Sequence, residues 1–417
     1  MENLPPELRI QIFFSCHDLV SIRSIVHASP IYHQTYQLIK HRLLLHTLHK
    51  TYDGLVDMTD AITAVRSYGL YAYEPSHKET ILALLDRRRR SKEICRPIVL
   101  TTDEIIKLFK LHGIANFFLD EYAKSAPCPK WIESAKWVKD FLPLYLSRTE
   151  KVRFLRGFYL LQIYANIFGP VEFPAYESHS CLDNDWIDHT FTRVEAWRVL
   201  FGTMAPWEVA EFGCVWQYIY DKIKSPYIEI AEKFREYKSP GIGFPKEAGL
   251  PEGCIQLDGD ELYMNADEIL RSLVATGPVF CSRFLRLESS LHRRDLILAN
   301  GRCFVWCFPF TFPATPQGQL PLLYPADRFD FGSDWNGLHK LVDSLQPWEG
   351  PNFAFRKYWL VKSHEGEAVF QSLNRARLGI LLWRWGYAIW DAERLQRWSM
   401  PEDRHSAFNL FRHLFLE

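Results

Sequence analysis

The chain has little that marks a common enzyme class. It contains no HExxH, GxSxG, Walker A or GxGxxG pattern. Zinc-protease, α/β-hydrolase, P-loop and dinucleotide-binding chemistries therefore lack their usual residues. Gly241 and Gly243 supply only a GxG, with no Lys-Ser or Lys-Thr behind them. Long hydrophobic runs are also missing. The richest, Leu378–Trp385, is short and carries Arg384, far from the ~20 apolar residues that span a bilayer. No membrane span is expected. Net charge is only −1 over 417 residues, whereas a nucleic-acid binder normally shows a basic domain. Residues 1–14 carry no basic leader and no small-residue cleavage site, so no secretory signal is expected. The nine cysteines are scattered, and the closest pair, Cys303 and Cys307, matches no common zinc spacing. They read as reduced thiols of a cytoplasmic or nuclear protein. No metal and no cofactor is expected.

Aromatic residues are abundant: 15% of the chain, with 14 Trp and 29 Phe. That supply fills a large core or lines an apolar cavity. A chain of this length exceeds what one core usually serves. The expected division is a short helical module over 1–45 and a large helical domain over 46–417, with sub-lobes split near the Gly- and Pro-rich stretch 238–256. Helical spacing recurs at 37–50, 78–96, 103–112, 130–146, 149–168, from Pro206 to Tyr237, and at 265–275, 278–290, 337–345 and 366–384. Pro309, Pro313, Pro316 and Pro321 argue for extended chain over Phe304–Tyr324, with a short strand possible at Cys303–Phe308. The fold class is mainly α: a short three-helix module, then a large aromatic-rich α-helical domain with few or no short strands.

Residues 1–36 carry the clearest pattern. Leu4, Leu8, Ile12 and Phe13 form one apolar stripe, and Leu19, Ile22, Ile25 and Val26 a second. Pro5 and Pro6 suit a first helical turn, where a missing N–H costs nothing. Asn3 is placed as N-cap of the first helix and Ser21 of the second, and Pro30 interrupts before a third. A module this small needs outside support to stay folded. Its apolar surface serves either an adaptor-type partner or as a cap on the large domain. The exposure of Leu4, Leu8 and Ile12 separates the two.

The opening segment, MENLPPELRIQIFFSCHDLVSIRSIVHASPIYHQTY, resembles an F-box. Three later segments resemble landmarks of a fungal F-box-like protein family: KVRFLRGFYLLQIYANIFG at 151–169, APWEVAEFGCVWQYIY at 205–220, and LGILLWRWGYAIWDAERLQRW at 378–398. Phe14-Ser15-Cys16-His17 departs from the more apolar helix end of a strong F-box. The resemblance implies a substrate-receptor subunit docking on the adaptor of a cullin–RING ubiquitin ligase. Leu4, Pro5, Leu8, Ile12, Phe13, Leu19, Ile22 and Ile25 are then the partner-binding residues. No propeller or leucine-rich repeat supplies a target-holding surface.

A second reading is a cofactor-free cyclase for natural products. It folds an apolar terpenoid or polyketide in an aromatic pocket and closes a ring by Diels–Alder or related chemistry. Such a reaction needs a held geometry and one hydrogen-bond donor on a carbonyl, neither of which leaves a motif. Arg384, Tyr387 and Trp390 are the pocket residues this reading names, with no catalytic residue assigned. A third reading is a non-catalytic scaffold. Other polar groupings read as solvated. They are the loop 177–189 with Glu177, His179, Cys181, Asp183, Asp185, Asp188 and His189; Asp258, Asp260 and Glu261; six histidines before residue 50; and Arg87–Arg90 on a helix face.

Overall fold

The computed structural model describes residues 4–90, 99–173, 190–238, 266–300, 335–359 and 382–401. Among them every regular element is a helix, so the fold is mainly α. Three helices open the chain: α1 (Pro6–Ser15), α2 (Leu19–Ala28) and α3 (Pro30–Tyr52). Pro6 and Pro30 sit at helix starts, where no N–H is needed. The α2 cap is Asp18, whose carboxylate accepts the Ser21 N–H at 2.7 Å. Ser21 is therefore a donor to the cap; it lies inside the helix rather than at its start. Asn3 and the other residues before Leu4 lie outside the described residues.

Helix α3 runs unbroken through the boundary expected at residue 45. It packs on both α1 and α2. There Phe13, Ile22, Tyr32 and Leu43 make a small core of their own. Its second half turns Leu44, Leu48 and Tyr52 into the main core. One helix thus anchors the N-terminal unit and supplies the support that so small a module needs.

The main body is built on α4 (Met58–Arg66), α5 (Lys78–Arg90), α6 (Thr102–Ser125), the single turn α7 (Ser134–Lys136), α8 (Arg148–Phe168), α9 (Arg193–Leu200) and α10 (Pro206–Lys238). It continues with α11 (Ala266–Ala275), α12 (Pro278–Arg286), α13 (Ser290–Asn300), α14 (Trp335–Ser344), α15 (Phe353–Trp359) and α16 (Ala392–Arg397). Helix α8 is the centre. It packs on α4, α6, α10 and α12, and most of its residues are buried all round. A helix apolar on every side belongs inside. Its start is a capping box: Ser147 Oγ accepts the Glu150 N–H at 3.1 Å, and Glu150 accepts the Ser147 N–H at 2.9 Å.

Several elements differ from the sequence expectation. The helix expected over 103–112 runs on to Ser125 through Gly113, because Ala115, Phe118, Leu119 and Tyr122 keep burying the same face. The helix expected over 130–146 shrinks to α7 and a wide turn over Trp137–Phe141. Pro143 has no N–H to give a helix, and it pushes Leu142 into extended backbone. The helix expected over 278–290 ends at Arg286, and α13 follows as a separate helix. Helix α5 is described to Arg90, and the rest of the 78–96 expectation lies outside the described residues. So do most of 366–384 and all of 238–256 beyond α10, Cys303–Phe308 and Phe304–Tyr324.

The C-terminal segment 382–401 is locked onto α8 by charge. Glu150 is fully buried. Its carboxylate accepts Arg394 Nε at 2.6 Å, Arg394 Nη2 at 2.8 Å and the Asp391 N–H at 3.1 Å, besides the Ser147 cap. Asp391 in turn accepts Arg153 Nη1 at 2.7 Å and the hydroxyls of Ser147 and Thr149. Burial pushes the Asp391 carboxyl up, but those two hydroxyls and the Arg153 guanidinium outweigh it and hold it below its ordinary value. Deleting one member of such a buried set leaves charges without partners. Glu150→Ala is expected to cost about 3–5 kcal/mol in urea unfolding, and a loss below about 1 kcal/mol would show that this network holds little.

Candidate functional site

The eight residues predicted to bind a partner separate into two sets. Phe13 and Ile22 are buried in the small core, with Ile12 and Ile25 packed against it. Leu8 remains 44% exposed and Leu19 37%, Pro5 is exposed and Leu4 half-buried. Val20 at 74% and Leu38 at 87% add two exposed aliphatic side chains that were not among the eight partner-binding residues. Phe13 meets Tyr32 edge to face at 5.8 Å, and Phe14 meets His46 at 5.1 Å. These rings hold α1 against α3. The outward apolar side chains are left for solvent or for another polypeptide.

The three predicted pocket residues also divide. Arg384 is exposed, whereas Tyr387 and Trp390 are fully buried. Gly386 turns the chain between Arg384 and Tyr387 at φ +72°. The trace passes so close to Tyr122 that a Cβ on Gly386 would lie 2.3 Å from its hydroxyl. Trp390 stacks on Tyr122 at 5.1 Å and 13°, and its indole N–H donates to the Trp385 carbonyl at 2.8 Å. Tyr387 stacks on Phe355 at 6.5 Å. Asn352 ties the turn down by donating to the carbonyls of Tyr387 and Trp390 at 2.5 and 2.9 Å.

Among the described residues the Tyr122 hydroxyl and the Trp385 indole N–H have no hydrogen-bond partner. Burial pushes the Tyr122 phenol far above its ordinary range, so it keeps its proton. It is a neutral donor in an aromatic setting. The Cys214 and Cys281 thiols are likewise raised by burial and stay inert as nucleophiles. Two further ion pairs lie inside. Arg156 grips Glu211 with two bonds of 2.6 Å, and Arg88 meets Asp60 at 2.5 Å. Arg88 is thus no part of a solvated face, as the Arg87–Arg90 run suggested. It is buried beneath α5 and also donates to Thr203 at 3.1 Å. Arg87 of the same run is exposed.

Among the described residues no three His, Cys, Asp or Glu side chains gather to hold a metal ion. The runs at 177–189 and 258–261 lie outside the described residues. No described helix is long and apolar enough to cross a membrane. No family model, curated protein or solved structure matches the chain.

A buried histidine gives this region a pH response. His112 Nδ1 lies 3.2 Å from the Tyr159 hydroxyl, and its ring rests 4.7 Å from Tyr52. Burial pushes its pKa down to about 4. The folded value lies below the unfolded one, so protons favour unfolding. The stability from neutral His112 is complete above pH ~6.5 and is lost as pH falls towards about 4. Over that window it amounts to about 2–3 kcal/mol. The difference in unfolding free energy between the native chain and His112→Gln is expected to shrink by this amount. A pH-independent difference would show that the imidazole is not held neutral.

Proposed function

We propose that the chain is an F-box-like substrate receptor, with α1–α3 as the docking unit for the adaptor subunit of a cullin–RING ubiquitin ligase. The observation that carries this reading is the separation of the two cores. Helices α1 and α2 rest on α3, and their core of Phe13, Ile22, Tyr32 and Leu43 is separate from the main one. Leu8 and Leu19 keep their apolar surface outward, as a docking face requires. Burying several such side chains at ~25 cal/mol per Å² drives association, less the cost of immobilising the partners. Phe13 and Ile22 shape the unit from within, and Leu8, Leu19 and their neighbours make the contact. Leu8→Asp combined with Leu19→Asp touches only exposed positions, so the fold survives. The double variant is expected to lose co-elution with purified adaptor while keeping its helical circular dichroism. Undiminished co-elution would end the reading.

A second reading rests on the free donors at Tyr122 and Trp385, beside two of the three pocket residues named above. A neutral phenol in an aromatic surround can donate to a substrate carbonyl and polarise a diene–dienophile pair. Here the chain folds an apolar terpenoid or polyketide without a cofactor. Geranylacetone, a linear terpenoid ketone, is the probe. Saturable quenching of tryptophan emission is expected, weakened in Tyr122→Phe. That variant should itself be more stable by about 1 kcal/mol, because an unpaired buried hydroxyl is removed. Unchanged emission on adding the ketone would remove this reading.

A further inference from the structure

The outer surface of the N-terminal unit is richer in cations than in acids, and its helices α2 and α3, residues 19–28 and 30–52, carry no acid at all. They hold Arg23, Lys40, Arg42 and Lys50, whereas the whole chain is at −1. The two carboxylates of the described unit are Glu7 in α1 and Asp18, and Asp18 is committed to capping α2 through Ser21. Among the described residues none of these four cations forms an ion pair within the chain. Arg42 lies over the Phe14 ring at 5.4 Å, and Lys50 donates to the Phe14 carbonyl at 3.1 Å. Both contacts leave the positive charge uncompensated.

These cations stand beside the exposed aliphatic residues. Along α2 the outward positions are Leu19, Val20, Arg23, Ser24 and His27, a single helical stripe by their spacing. Arg23 is one turn from Leu19 and from Val20. Along α3, Leu38 and Arg42 repeat the pairing at i and i+4, both exposed. Each helix thus offers an apolar side chain one turn from a guanidinium that forms no ion pair among the described residues, with no carboxylate within the helix itself and Asp18 at the α2 cap held by Ser21.

We propose that this surface receives an acidic protein segment. On α2 its apolar side chains meet Val20 and its carboxylates meet Arg23, and on α3 such a segment meets Leu38 and Arg42 in the same way. The inference rests on the docking reading above and gives that partner its charge. An anionic bilayer fits less well, since α2 spends Ile22, Ile25 and Val26 on its own core and has no broad apolar face left to insert. A nucleic acid fits less well because aliphatic side chains lie at the centre of each stripe, where phosphates would want donors.

The experiment measures binding of the full chain to purified ligase adaptor and, separately, to poly-L-glutamate. It is run at about 50 and about 300 mM salt, where screening differs strongly. The expected result is at least about tenfold weaker adaptor binding at high salt, and a similar loss in Arg23→Glu/Arg42→Glu with unchanged thermal stability. Adaptor binding that ignores both salt and charge reversal overturns the acidic-partner inference and leaves the docking reading standing. If the adaptor does not bind at all, the docking reading fails and poly-L-glutamate decides. Salt-sensitive binding that Arg23→Glu/Arg42→Glu abolishes sustains the inference, and no binding overturns it. Tighter binding to phosphatidylserine vesicles or to duplex DNA than to poly-L-glutamate also overturns it.

Discussion

The Glu150 carboxylate is the constraint on which the rest of the body depends. It lies at the start of the central helix α8, fully buried, and accepts from its own cap residue and from a C-terminal segment some 240 positions away. An ion taken out of water is costly unless every lone pair is used. Here four donors use them, and the burial becomes specific. Segment 382–401 therefore has one place to sit. Once it sits there, Trp390 stacks on Tyr122 of α6, Tyr387 on Phe355 of α15, Trp385 meets Trp131 and Trp398 meets Trp137. The aromatic core is a consequence of that clamp as much as of hydrophobicity.

The same logic explains why the N-terminal unit depends on α3. Four buried side chains are too small a core to offset the conformational entropy of ordering the unit by themselves. The shortfall is met because α3 is already nucleated by Leu44, Leu48 and Tyr52 in the main core. Helices α1 and α2 then dock on a rigid template. A unit held in this way can leave its outer side chains unspent, which a self-sufficient domain of the same size could not do.

Much of the fold was legible because it is governed by local chemistry. Helix α8 ends at Phe168 where Gly169-Pro170 stops it, and α10 begins at Pro206. The capping boxes are spelled out as Thr101-x-x-Glu104 and Ser147-x-x-Glu150, a signal available in the sequence but not drawn upon. The helix expected from Pro206 to Tyr237 also runs as one element through Pro226, because Tyr227, Ile230 and Ala231 beyond it stay buried and packing outweighs the proline penalty. Other features were not legible. Arg88 reads as one of four like residues until Asp60 and Thr203 approach from elsewhere. At the candidate docking unit, periodicity says which side chains share a face and is silent on which face is covered. Leu8 and Phe13 belong to the same predicted stripe, yet one faces solvent and the other lies in the core.

That split bears on how evolution can use such a unit. Side chains that build the small core, Phe13 and Ile22, are constrained by packing at near-crystalline density. Those on the outer stripes, Val20, Arg23, Leu38 and Arg42, carry no internal contact that fixes them beyond the Arg42–Phe14 stack. The outer stripes can therefore change partner without changing fold, and the inner ones can keep the fold without a partner. In the proposed docking unit, binding separates from stability along α2 and α3 residue by residue. An alignment of close relatives that varied the core positions while holding the outer ones would point to a surface under selection for binding.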